Sequence, residues 1–208
     1  MAAMKNVSTT KQEESKAKQL PQLPLQYKWT LWHNAPSPNW KDKKVNIIGH
    51  FATVADFWRL FNNILPPSQL EAGSDYHLFK GNVKPEWEDQ FNAHGGCWIF
   101  RFEKKLLISK LTKLGKSVYH TVLKIIGHNF DESDDICGLV VSMRDKNKGK
   151  LSLWIKEARN EKIVRSLGQQ FKEFSRANSV EFQVCYISSF CIVSFFLVVF
   201  IHFNLFFW

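Results

Sequence analysis

The chain lacks any Cys-x-x-Cys pair and any His/Cys cluster at zinc-ligand spacing, so no metal site is expected. Its four cysteines, Cys97, Cys137, Cys185 and Cys191, are scattered. That usage fits reduced thiols in a cytosolic protein better than a disulfide framework. There is no Gly-rich phosphate loop, no nucleophile–histidine arrangement and no dense glutamate cluster suited to Mg²⁺. An enzyme is therefore not expected, and neither is a cofactor. Glu86, Glu88 and Asp89 are the acids that acid–base chemistry would have to use. The first 23 residues carry Lys5, Lys11, Glu13, Glu14, Lys16 and Lys18 without an apolar run, which excludes a secretory signal and reads as a disordered arm. No internal repeat occurs. Negative charge is in short supply: 28 Lys and Arg against 19 Asp and Glu leave +9, which favours polyanionic partners.

What the chain has instead is tryptophan, eight in 208 residues. The most telling one is Trp87, in Lys84-Pro85-Glu86-Trp87-Glu88-Asp89. A flat ring in a loop, followed by acids, suits a flat ligand. The neighbouring Glu88 carboxylate suits that ligand's hydrogen-bond donors. Trp40, delivered by the loop Asn34–Asn39, and Trp154 also sit beside loops or charges. Two parallel indoles on separate loops can sandwich a purine, each stack contributing about 1–3 kcal/mol. The segment Arg144–Lys150 is a basic hairpin connection whose flanking Arg144 and Lys150 suit a di- or triphosphate. Taken singly, each indole reads as core and the hairpin as a solvated turn.

Alternation predicts strands at Tyr27–Trp32, Val45–Gly49, Tyr76–Lys80, Cys97–Glu103, Ile136–Arg144, Leu151–Ile155 and Glu181–Tyr186. Thr53 followed by Asp56 predicts a helix start, with Val54, Phe57, Trp58 and Phe61 at helical spacing and Pro66-Pro67 as the stop. Further helices are predicted at Ser117–Ile126 and Glu157–Arg176. Many strands without regular strand–helix alternation indicate a single α+β domain with an antiparallel sheet, residues 24–186. After Glu181 no charged residue occurs up to Trp208. Residues 187–208 thus form a Phe-rich hydrophobic tail. It is compatible with a membrane anchor, with a buried element, or with translation of a uridine-rich intron.

Pro24-Leu25-Gln26, Trp29, Trp32, Trp40, Thr53–Trp58, Ser74–Lys80, Lys84–Asp89, Gly95–Trp98, Cys137-Gly138 and Arg144 through Trp154 occur in order. This pattern resembles the eukaryotic translation initiation factor 4E family, over roughly residues 23–186. The resemblance implies a curved sheet with about three helices on the convex face and a cap slot on the concave face. It implies a cytoplasmic, and also nuclear, factor that binds the 7-methylguanosine cap of mRNA. Trp40 and Trp87 would sandwich the methylated guanine, Glu88 would take its N1 and N2 donors, and the Trp87 amide would reach O6. Trp154 would contact the N7 methyl group, and Arg144 and Lys150 the phosphates. On the convex face, Pro24, Leu25, Val54, Trp58, Tyr119, His120 and Leu123 match the surface that takes a helical peptide. Its donors are the scaffold initiation factor of the 4G type and inhibitory 4E-binding proteins. A membrane would be a partner only through the tail.

Four departures accompany the resemblance. Cys97 stands where a basic residue usually assists the phosphates, which implies either weaker triphosphate binding or compensation by Lys146 and Lys148. Tyr119-His120 replaces the usual Leu-Glu and implies altered partner choice. Leu106–Lys116 is unlike the family, and the Phe-rich tail replaces a polar loop near the cap. Competing readings are a cap-binding translational repressor and a general single-strand nucleic-acid binder.

Overall fold

A computed structural model describes residues 22–37, 44–103, 113–145, 148–185 and 200–201. The arm up to residue 21, Trp40, Lys146 and most of the tail lie outside the described residues. The elements are β1 (Pro24–Asn34), β2 (Val45–Thr53), α1 (Val54–Phe61), β3 (Asp75–Lys80), β4 (Gly96–Glu103), α2 (Lys113–Ile126), β5 (Ile136–Met143), β6 (Lys148–Ile155), α3 (Glu161–Ser175), β7 (Glu181–Val184) and β8 (Phe200–Ile201). They confirm an α+β architecture. The strands form one sheet in the order β2-β1-β3-β5-β6-β4-β7-β8. Every pairing is antiparallel. Register shifts in β1/β2 and β5/β6 bend the strands locally.

The sheet segregates its side chains by the two-residue period of a strand. Along β4, Trp98, Phe100 and Phe102 point to the helices, while Cys97 and Ile99 point to the opposite face. The helix side is the larger core. There Phe57 of α1, Val122, Ile125 and Ile126 of α2, and Val164, Leu167 and Phe171 of α3 pack on Trp29, Leu78, Leu139 and Leu153. Each such side chain contributes about 1.5–3 kcal/mol on burial. Trp98 fixes α3: its indole Nε1 donates to the Val164 carbonyl at 2.9 Å. A Cβ on Gly168 would meet that indole at 2.3 Å, so only glycine lets the helix lie so close.

The helix starts and stops refine the sequence expectations. Thr53 caps α1 as anticipated, its Oγ1 accepting from the Asp56 amide at 3.1 Å and donating to the Asp56 carboxylate at 2.8 Å. The helix ends at Phe61, before Pro66-Pro67; Pro67 opens a 3-10 turn instead. Helix α2 begins at Lys113 rather than Ser117. Helix α3 begins at Glu161 rather than Glu157, because Asn160 is the residue whose side chain accepts from the Ile163 amide. Strand β2 runs on to Thr53, since its whole length has β1 to pair with. Strand β7 stops at Val184, two residues short of Tyr186. Within the tail, Phe200 and Ile201 pair with Gln183 and Phe182 of β7. Among the described residues no helix is long and apolar enough to cross a membrane.

Candidate functional site

The sheet face away from the helices carries ordered rows of side chains. Cross-strand partners place Thr30, Phe79, Gly138, Trp154, Cys97 and Gln183 in a first row. Trp32, His77, Val140, Ser152, Ile99 and Glu181 form a second. Asn34, Asp75, Ser142, Lys150 and Arg101 form a third. The first row is aromatic and the third is charged. Four residues along β6 separate Trp154 from Lys150, roughly 13 Å at strand rise.

At the aromatic end, Trp87 lies flat on Trp154, ring centroids 3.5 Å apart and planes 17° from parallel. Phe79 meets Trp154 edge-on at 5.5 Å. Gly138 makes room for this support, since a Cβ there would come within 2.6 Å of the Phe79 ring. Glu88 is exposed beside the stack. Burial first, and the Glu88 charge second, push the Cys185 thiol up to about 11, which places Glu88 near the end of β7. Burial pushes Cys97 and Cys137 up to about 12, so both stay protonated and neither is a nucleophile.

The loop that carries Trp87 and Glu88 is tied from inside. The Asp89 carboxylate accepts from the amides of Lys84 and Phe91, each at 2.9 Å. Asn92 is almost wholly buried, and its Nδ2 donates to the carbonyls of Lys84 and Glu86, each at 2.8 Å. Four backbone groups on both sides of Trp87 are thereby fixed by contacts within the loop.

At the charged end, Arg144 and Lys150 do converge. Burial lowers the Lys150 pKa, and the Arg144 cation lowers it further. Arg144 Nη2 donates to Ser142 Oγ at 3.1 Å and stands 3.6 Å from the buried Asp75 carboxylate. Burial alone would raise Asp75, but hydrogen bonds from Ser142 and Asn34 and the Arg144 charge outweigh it and hold the carboxyl below its ordinary value. Asn34 Nδ2 donates to Asp75 at 2.8 Å, and Asn34 Oδ1 lies 2.7 Å from His77 Nε2. An amide oxygen only accepts, so with this amide orientation His77 carries a proton on Nε2. Asp75, Asn34, His77 and Asn92 received no role from the sequence, and Asp89 was considered only as an acid for acid–base chemistry. The signal available for Asp75 was its odd position in the alternation Asp75–Lys80; for Asn92 there was none. Trp40, assigned to the second face of a base clamp, lies outside the described residues, as does Lys146.

On the helix face, the Trp58 and Tyr119 rings stack at 6.3 Å and 28°, with Phe61 edge-on to Tyr119 at 4.6 Å. Trp58 is 37% exposed and Leu123 36%. Pro24 and Leu25 open β1 opposite Thr53, and the Val54 amide donates to the Leu23 carbonyl at 2.9 Å. The structure thus brings Pro24, Leu25 and Val54 together at the start of α1, and Trp58, Tyr119 and Leu123 across α1 and α2. His120 departs from this patch: its ring packs edge-on against Phe174 of α3 at 5.8 Å. An apolar cavity of about 580 Å³ lies between α1, α2 and the sheet, behind the patch and away from the slot face.

Known proteins resemble the chain in both sequence and fold. The family described as "Eukaryotic initiation factor 4E" matches residues 24–189. The chain is 40% identical over 166 residues to eukaryotic translation initiation factor 4E1 of Drosophila melanogaster, covering 77% of this chain and 62% of that protein. It is 41% identical over 165 residues to translation initiation factor 4E allele A of Solanum tuberosum, covering 76% and 68%. It therefore spans a little under two thirds of the fly relative's length. Among solved structures, C. elegans eIF4E-3 in complex with the 4E-binding protein Mextli and a cap analog superposes with a TM-score of 0.69 at 35% identity, covering 78% of this chain and 92% of that one. Ascaris suum eIF4E-3 in complex with an m2,2,7G cap gives 0.71 at 32% identity, covering 86% and 98%. A family match over four fifths of the chain, relatives at 40% identity and the same fold place the sequence in one group: the chain belongs to the eukaryotic initiation factor 4E family.

Proposed function

We propose that the chain binds the 7-methylguanosine cap of mRNA on its slot face and serves translation initiation through its helix face. The observation that carries this reading is the Trp87–Trp154 indole pair, set beside Glu88 and about 13 Å from Lys150 on one face. That span suits a base at one end and the end of a triphosphate at the other.

The work of each group follows from its chemistry. Methylation at N7 gives guanine a positive charge, and an indole face over a desolvated cation contributes about 0.5–2 kcal/mol beyond stacking. Trp87 and Trp40 supply the two faces. Glu88 accepts from N1–H and N2–H, a donor pair that adenine lacks, and the Trp87 amide donates to O6. Trp154 lies against the methyl group, while Arg144 and Lys150 neutralise phosphate charge. Trp87 leaves the Trp154 ring when the base enters, exchanging one stack for another. The role proposed for the site is recognition of the cap, without bond breaking. Titration with 7-methyl-GTP and GTP tests the reading; equal affinity for the two would sink it.

The helix patch around Trp58 and Leu123 suits the apolar side of an amphipathic peptide from a scaffold factor or a 4E-binding protein. The Trp58–Tyr119 stack supports a second reading, a cap-binding paralogue with altered partner choice, because it changes the surface such a peptide meets. Affinity for scaffold-derived and inhibitor-derived peptides separates the two. The proposed location is the cytoplasm.

A further inference from the structure

The third row of the slot face ends in a residue that no role yet covers. Arg101 stands directly across β4 from Lys150. It lies between Phe100 and Phe102, which both face the helices, so its own side chain emerges on the slot face. It influences Lys150 and Cys97 electrostatically, which agrees with that placement. Its Nε and Nη2 meet the Glu181 carboxylate of β7 at 3.3 and 3.4 Å. Both side chains are about half exposed, and an ion pair of that kind is weak. The first row, by contrast, has neutral Cys97 beside Trp154.

We propose that Arg101 is a phosphate-binding residue of this slot, acting with Lys150 and Arg144 on the phosphates farthest from the base. The proposal rests on the cap-binding reading for what occupies the aromatic end. Along β4 the slot face is neutral at Cys97 and positive at Arg101, four residues on. Arg101 turns from Glu181 to the ligand by exchanging one weak, solvated partner for a more highly charged one, and Glu181 holds it in place until then. The slot should therefore gain most from the last phosphates of the chain and little from the first.

The test uses the full chain, wild type and with Arg101→Gln, Arg101→Lys and Glu181→Gln, titrated with the mono-, di- and triphosphates of 7-methylguanosine and of guanosine. Arg101→Gln should leave monophosphate binding within twofold, weaken triphosphate binding roughly 5- to 10-fold, and make triphosphate binding less sensitive to salt. Arg101→Lys should recover most of the loss, and Glu181→Gln should tighten triphosphate binding. An unchanged dependence on phosphate number in Arg101→Gln overturns the proposal. So does equal weakening towards all three phosphates, the mark of a damaged fold. The two readings fail separately: the cap reading fails if wild type does not prefer the methylated nucleotides, whereas Arg101 is judged on phosphate number in either series.

Discussion

Trp87 lies on Trp154 with ring centroids 3.5 Å apart, so the loop indole stacks on the strand indole. An aromatic pair of this kind contributes about 0.5–1.5 kcal/mol beyond its buried area. A base that takes Trp87 away must replace that contact, and a cationic base does so more readily than a neutral one.

Trp87→Ala removes one face of the clamp. With stacking near 1–3 kcal/mol, affinity for 7-methyl-GTP should fall roughly 5- to 150-fold. Calorimetric titration checks this, and Trp87→Phe should recover part of the loss. A variant that binds like wild type would remove Trp87 from the site.

Glu88→Gln keeps the shape but loses the charge and one acceptor oxygen. Because a hydrogen bond to a charged group contributes about 1.5–3 kcal/mol, binding of 7-methyl-GTP should weaken roughly 10- to 100-fold. Selectivity over 7-methyl-inosine nucleotides, which lack the N2 donors, should shrink with it. Competition between the two nucleotides measures that ratio.

Asn92→Ala touches no proposed ligand group, yet it leaves the carbonyls of Lys84 and Glu86 without their buried donor. Stability should drop by about 1–3 kcal/mol. Cap affinity should fall as well, because the Trp87 loop loses its internal tie. Urea denaturation and titration on the same variant report the two effects. Loss of stability with full affinity would show that the loop is organised by Asp89 alone.

Asp75 sets an acid limit on the charged end. Its folded pKa lies below the ordinary 3.8, so the stability it contributes is complete above that value and is lost as pH falls through the folded pKa. Between about pH 4 and pH 2 wild type should lose stability more steeply than Asp75→Asn, which has no proton to gain. Thermal melts across that range make the comparison. Parallel curves would mean that Asp75 is not held ionised by Arg144, Ser142 and Asn34.

Lys150 works against the fold in the free protein. Its pKa is lowered by burial and by Arg144, so its charged form is less favourable folded than unfolded at neutral pH. Stability is penalised below the folded pKa, and the penalty disappears as pH rises through the ordinary value near 10.5. Lys150→Met should raise the melting temperature of the free protein by about 2 °C, within the range of relieved functional strain. The same change should lower triphosphate affinity. A melting temperature below wild type would show that the stem of Lys150 packs more than its charge costs.

Local patterns carried much of the fold. The alternation in Cys97–Glu103 and Ile136–Met143, and the Thr53 cap of α1, could be read directly because strand parity and capping depend on neighbours in sequence. Helix and strand ends were less legible. Whether Glu157 or Glu161 opens α3 is decided by which side chain caps it, and the length of β2 by the partner strand beside it.

For the site, the residue types of Trp87, Glu88, Arg144, Lys150 and Trp154 suggested a flat ligand with hydrogen-bond donors and a phosphate chain, and it was the family resemblance that implied a methylated, cationic guanine. Sequence alone thus determined the chemistry on offer, because ring, carboxylate and cation keep their properties wherever they stand. Only the tertiary structure decided the geometry. Antiparallel register is what sets Asn34, Asp75, Ser142, Lys150 and Arg101 in one row, although 116 positions separate the first from the fourth along the chain. Stacking of Trp87 on Trp154, the hold of Asp75 on Arg144 and the place of Arg101 are all contacts between distant strands and loops. They depend on which strands become neighbours, and that is settled by packing of the whole sheet on its three helices.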